Sequence, residues 1–324
     1  MFRYILMRLA MLIPVLLGIS FIIFTIMYFT PGDPARVILA ENATDETVAA
    51  LRNEMGLNDP FHTRYFKYVT DIVLRGDLGT SYFTKRPVLT EILERFPTTL
   101  LLATMSITFA IILGVVTGII AATKQYSIFD NIATAVALFG VSMPTFWQAL
   151  MLIIVFAIWL RWLPASGFST PASWILPVLS IGPATSAGIM RMTRASMLEV
   201  LRQDYIRTAR AKGQNEMTVI LKHALRNAMI PVITVIGLSF GNLMGGAVIA
   251  ESIFTIPGIG TLMVDAIKAR NYPVLQGGVL FIAFVFTFIN LSVDIIYAFV
   301  DPRIKTLYKA AEKAEKKEGT KADE

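Results

Sequence analysis

The chain has no cysteine and only two histidines, His62 and His223. Without cysteine there are no disulfides, no thiolate metal sites and no cysteine nucleophile. With so little histidine there is no H-E-x-x-H motif and no Ser–His pair at membrane depth, which argues against an intramembrane hydrolase. No G-x-x-x-x-G-K-[ST] phosphate loop occurs either, so the chain cannot hydrolyse ATP by that route. Charge is scarce: 16% of the 324 residues are charged and 55% are hydrophobic. What the sequence does have is a series of uncharged apolar runs of about 20 residues, the length that crosses a hydrocarbon core. The expected fold is therefore an all-α polytopic membrane protein. The net charge of +6 needs no nucleic acid to explain it. Much of the excess falls in segments expected on the cytoplasmic side of the bilayer.

Six transmembrane helices are predicted, with both termini inside. Leu9 to Thr30 follows Arg3 and Arg8; a signal peptide would begin the same way, but the run is long and no small-x-small cleavage site follows it. Residues 31 to about 96 are polar and mixed, and read as an extracytoplasmic excursion. Within it, Thr44 or Asp45 is placed to cap a short helix through Met55 that Gly56 ends, and Phe61–Leu74 is a second, amphipathic helix. Its aromatics either pack at the membrane interface or face a partner. Thr98–Thr123 is the second span; its Gly114-x-x-x-Gly118 is read as helix packing. Ile132–Leu160 is the third, interrupted at Ser142-Met143-Pro144, with Gln148 a lone amide at depth. Trp162 and Trp174 read as interfacial anchors. Trp174–Met190, with Pro177, Gly182 and Pro183, is expected to be a poor straight helix. Met229–Ala250 is glycine-rich, and about Val274–Val300 closes the set. Asp294, near the inner end of that last span, is read as structural. Irregular helices with small polar groups are tolerated where they line a cavity. The candidate pathway residues are accordingly Ser142, Gln148, Ser180, Thr185, Ser186, Thr234, Ser239 and Asn242.

The segment from Arg191 to Pro231 organises the rest. It carries eight Lys or Arg against three acids and lies between two membrane-length runs, the composition of a cytoplasmic loop. Its punctuation predicts helix, break, helix: Asp204 as N-cap of a helix over Tyr205–Lys212, Gly213 as its stop, and Asn215 as cap of a second helix. Met217, Ile220, Leu221, Ala224 and Leu225 would form the apolar face of that second helix. Composition alone leaves two readings, a basic segment resting on anionic headgroups or a short helix offered to a soluble partner.

Here a resemblance enters. Arg207-Thr208-Ala209, three residues, then Gly213 resembles the Glu-Ala-Ala-x-x-x-Gly loop of ABC-importer membrane subunits. DYIRTARAKG followed by KHALRNAMIP looks like the oligopeptide/dipeptide/nickel branch of that family, its B-type subunit in particular. GLNDP, RGDLGTS and RPV in the excursion, and GGAVIAESIFTIPGIGTLMVDAIKARNYPVLQGG near the end, are similar to the same branch. Arg207 and Thr208 depart from the broad motif and Asn271 stands where the branch usually has Asp, which leaves any charge-based role there in doubt.

The resemblance implies a type I ABC-importer permease fold. Residues 1–94 would hold the first helix and the excursion, 95–302 a five-helix transport domain with the loop at about 191–228, and 303–324 a charged tail. It also implies that the loop is a coupling helix docking on an ATPase, through Asp204, Tyr205, Arg207, Thr208, Ala209, Arg210, Ala211, Lys212, Gly213, His223, Arg226 and Asn227. The expected partners are a second, homologous permease, two ATPase subunits that use ATP and Mg, and an extracytoplasmic solute-binding protein. The chain itself would bind no cofactor or metal and catalyse nothing. It would sit in a bacterial inner membrane and carry di- or oligopeptides, or nickel or another small solute in the same architecture. A stand-alone ion-coupled carrier would call for ionisable groups at mid-membrane and inverted repeats, and neither is seen.

Overall fold

The computed structural model describes residues 2–39 and 43–300. The Asp294 side chain and the 303–324 tail lie outside the described residues. In chain order the elements are α1 (Phe2–Phe29), α2 (Pro34–Leu39), α3 (Asp45–Glu54), α4 (Phe61–Arg75), α5 (Val88–Thr123), α6 (Ile128–Ser142) and α7 (Thr145–Leu152), the last continuing as a π-helical stretch, Ile153–Trp159. After them come α8 (Ile175–Leu201), α9 (Asp204–Ala211), α10 (Glu216–Thr218), a π-helical stretch Val219–Ala224, α11 (Leu225–Gly246), α12 (Val248–Phe254), α13 (Ile259–Lys268) and α14 (Tyr272–Val300). Five continuous stretches are long and apolar enough to cross a membrane: Leu9–Phe29, Val88–Thr123, Pro171–Leu201, Glu216–Gly245 and Tyr272–Val293. Two further pairs are sharply bent, by 100° between α6 and α7 and by 83° between α12 and α13.

Local chemistry sets these boundaries. Pro144 forces Met143 out of the helical region, to φ −83° and ψ 129°, and α6 ends there. The third span is thus a broken pair, interrupted where the sequence puts the break. Thr44 caps α3 by accepting from the Thr47 N–H, and α4 ends at Gly76 in the left-handed region; both helices stand where the sequence puts them. The aromatics of α4 divide. Phe61, Tyr65 and Tyr68 pack on Phe21, Phe24 and Tyr28 of α1, where burial pushes the Tyr68 phenol well above its usual pKa. Phe66 stays exposed. Burial also pushes the Tyr82 phenol up, to about 12, in the turn before α5.

Three expectations are corrected. The second span starts ten residues early, at Val88, because Pro97 is carried inside α5. α8 runs unbroken through Pro183. Pro177 lies in its first turn, where a missing N–H costs nothing, and Ser180, Thr185 and Ser186 donate to carbonyls of their own helix at Pro177, Ile181 and Pro183. Trp174 is buried rather than interfacial, its Nε1 donating to Phe168 O at 3.2 Å.

The central seam is α5 against α8. A Cβ at Gly114 would sit 2.7 Å from Ser186 O, and one at Gly118 2.6 Å from the Thr193 Cβ and 2.9 Å from Met190 O. Residue numbers rise together along both helices, so they run parallel. The G-x-x-x-G is therefore a backbone-close contact, as the packing reading expects. α11 and α14 pair in the opposite sense, Gly237 meeting Val293 and Gly241 meeting Phe286.

Candidate functional site

The loop between α8 and α11 is built around one buried side chain. Ile206 has no exposed surface and joins Ala122, Met197, Val219, Ala224 and Ala228 in a small apolar cluster. Burying an isoleucine is worth about 1.5–3 kcal/mol, the largest single contribution fixing α9. The N-terminal end of the helix makes no side-chain cap bond. Gln203 is the N-cap and Asp204 the first helical residue, a correction of one position. An acid in the first turn still favours the helix dipole. At the other end Gln214 N–H donates to Ala209 O and Gly213 N–H to Arg210 O, a Schellman closure with Gly213 at φ +75°. Asn215 then caps α10 by accepting from Met217 N–H at 2.9 Å.

Polar pairs join the two arms. Arg210 forks onto Glu216 at 2.7 and 3.1 Å, and these bonds raise the Arg210 pKa further. Asn227 Nδ2 donates to the Tyr205 hydroxyl at 2.8 Å, and His223 Nε2 lies 3.4 Å from Gln214 Oε1. Asp204 and Arg207 approach only to 3.8 Å, both largely exposed. Arg207, Thr208, Ala211, Lys212 and Arg226 face outward, with Ala209 half-buried.

The second arm differs from its expectation. It is no separate helix but the inner end of the fifth span, continuous over Glu216–Gly245. The π-helical turn at Val219–Ala224 shifts the register by about one residue. The buried face therefore becomes Val219, Ala224 and Ala228, while Met217 and Leu221 turn outward, 62% and 48% exposed.

The candidate pathway residues do not converge. Ser180 is fully buried, its hydroxyl donating to Pro177 O. Thr185 is half-buried; Ser186 borders an apolar cleft of about 340 Å³ between α5, α6 and α8 and contributes only an atom already bonded to Pro183 O. Ser142 and Asn242 are exposed, and Thr234 and Ser239 half-buried. Gln148 has its Oε1 buried without a partner among the described residues.

Residues 114–306 match the family described as binding-protein-dependent transport system inner membrane component, and residues 1–103 match the N-terminal component of such systems. This chain belongs to that family. The permease is 46% identical to the dipeptide transport system permease protein DppB of Alkalihalophilus pseudofirmus, over 94% of this chain and 100% of that protein. It is 43% identical to the glutathione transport system permease protein GsiC of Escherichia coli K12, over 94% and 99%. Its fold is similar to that of a chain in inward-facing structures of the MetNI methionine ABC transporter, with a TM-score of 0.57 at 16% identity, covering 66% of this chain and 97% of that one. The permease is thus a multi-pass membrane component of an ABC transporter complex.

Two arrangements in the permease escape the sequence. Asp130, buried at the start of α6, takes two 2.7 Å bonds from Arg194 on α8 and one from Tyr126 N–H. Glu251, with no exposed surface, accepts from Thr99 Oγ1 at 2.6 Å and Thr261 N–H at 3.1 Å. Thr99 in turn accepts from Ile259 N–H. An acid in an otherwise apolar run, followed by P-G-x-G, was the one available signal for Glu251.

Proposed function

We propose that this permease is one of two homologous membrane subunits of an ATP-driven importer of short peptides, and that the 204–227 region receives the motion of a partner ATPase. The observation that carries the docking role is the loop itself: a short helix whose one buried residue is Ile206, with its other face presented outward between two spans. Peptide as the substrate is supported by the full-length relatives, whose names print dipeptide and glutathione, two short peptides. In this reading α6–α7 forms one bent span, α12–α13 an outer hairpin, and both termini lie in the cytoplasm. The basic residues of the loop agree with that orientation. ATP and Mg are used by two partner subunits, and an extracytoplasmic solute-binding protein delivers the peptide to a path shared with the second permease. Nucleotide and peptide then bias one inward–outward equilibrium, each by its differential affinity for the two states.

The test is peptide-stimulated ATP hydrolysis by the complex reconstituted in lipid, comparing the native chain with Gly213→Val. A Cβ at Gly213 meets no neighbour, so the substitution acts only through its left-handed backbone, at about 1–2 kcal/mol. The expected result is an assembled complex whose stimulation is lost. Full stimulation in an assembled Gly213→Val complex refutes the docking role.

A further inference from the structure

A second polar site lies at the other end of the molecule. Between the start of α5 and the α12–α13 hairpin is a cleft of about 290 Å³, bordered by Arg95, Ser252, Thr255, Thr261, Asp265 and Lys268. That volume is near the lower bound of ligand pockets, about 300 Å³. Its charges have no partners among the described residues: Arg95, Asp265 and Lys268 take part in none of the ion pairs found there. Arg95 is half-buried, while Asp265 and Lys268 stand at the open side.

The walls are fixed by the buried Glu251–Thr99 network. Arg95 precedes Thr99 by one turn of α5, and Asp265 follows Thr261 by one turn of α13. Thr99 and Thr261 both bond the same Glu251 carboxylate, and Gly258 and Gly260 leave no room for a side chain beside it. The stretches of α5 and α13 that carry Arg95 and Asp265 are therefore tied together before anything binds, which lowers the ordering cost of binding. Thr255, on the rim, is a β-branched residue held at φ 55° and ψ 44°, a conformation that persists only where its surroundings enforce it.

Resting on the peptide-import reading above, we infer that this cleft is a subsite for the two charged ends of a short zwitterionic peptide. Arg95 presents the planar fork suited to a carboxylate, with Lys268 adding positive charge, and Asp265 faces the ammonium. Two cations and one carboxylate disfavour a bare divalent metal, and no cluster of three metal-ligating side chains forms among the described residues. The cleft lies at the outer end of α5, where in the proposed topology cargo arrives.

The absence of native cysteine permits a local test. Ser252→Cys is introduced, the full complex is assembled in lipid nanodiscs, and modification of this chain by an anionic methanethiosulfonate is followed by mass. Dialanine is expected to slow labelling, its C-terminal amide and its N-acetyl derivative much less so. Adding Arg95→Gln is expected to raise the dialanine concentration needed for protection about tenfold or more, as for loss of a hydrogen bond to a charged group, with Arg95→Lys recovering part. The inference is overturned if the thiol fails to label in the complex, if the amide protects equally, or if Arg95→Gln changes nothing. Import of dialanine by the complex carrying the native chain is measured alongside. Import without protection sinks the subsite alone, whereas protection without import sinks the transport reading and leaves the subsite standing.

Discussion

Replacing Ile206 by alanine probes what holds the loop helix in place. Ile206 is the one fully buried side chain of α9, and truncating such a residue costs about 2–5 kcal/mol. The remaining ties are the Arg210–Glu216 and Tyr205–Asn227 pairs, each with partly or largely exposed members, and exposed pairs contribute about 0–1 kcal/mol. An eight-residue helix has little stability of its own, so losing the anchor should release α9 without unfolding the spans. Taking 2–3 kcal/mol as the local loss, amide exchange over 204–213 should speed up by about 30- to 150-fold, while exchange in the α5–α8 seam stays unchanged. Hydrogen exchange read by mass spectrometry in detergent or nanodiscs gives both quantities in one experiment. A change below about threefold, or a larger one for Arg210→Gln than for Ile206→Ala, would show that the polar pairs hold the helix and would refute this apportionment.

Other perturbations test the helix packing. Gly118→Val drives a branched side chain into Thr193 and the Met190 carbonyl, and should cost about 1–3 kcal/mol, seen as a lower melting midpoint; Gly188→Ala, with open space at its Cβ, should leave the midpoint unmoved. Arg194→Met leaves the Asp130 carboxylate with its Tyr126 N–H bond alone of the three and should destabilise the inner end by about 1–3 kcal/mol, with Asp130→Asn in the same chain recovering part, both read by thermal melts. Thr99→Val removes the hydroxyl that Glu251 accepts from and that accepts from Ile259 N–H. Leaving those groups unpaired should cost about 1–3 kcal/mol and raise protease cutting in the α12–α13 hairpin before any in α8.

The features legible in the sequence are those whose cause lies within a few residues. Thr44 and Gly56 mark the ends of α3 because caps and left-handed stops are local events. Gly213 and Asn215 mark the break in the loop for the same reason. The spacing of Gly114 and Gly118 also announces a close helix contact, though not with which helix. What could not be read depends on distant partners or on register. Asp130 meets Arg194 across 64 residues and Glu251 meets Thr99 across 152, and neither pairing leaves a periodic trace. The apolar face of the second loop arm holds at Ile220, Ala224 and Leu225, which pack in the cluster, and fails at Met217 and Leu221 because a 3.6-residue period was assumed through a stretch that winds more slowly. α8 was expected to be interrupted at its prolines, yet Pro183 is carried inside it and Pro177 falls in the first turn, where its missing N–H is not needed. The pathway residues were chosen by polarity alone, and in this chain most of that polarity bonds back to its own helix or faces outward.

The glycine seam also bears on how a push at the loop would spread. With no room for even a methyl group at Gly114 and Gly118, α5 and α8 make a first tightly fitted pair. α11 and α14, meeting at Gly237 and Gly241, make a second, and α11 packs into the same core as α5 and α8. α9 is tied to the first through two residues and to the second through four, Lys212 to Asn215. A push on that short helix is therefore handed to both pairs through these two short links, which with α9 itself are the only chain between α8 and the start of the fifth span.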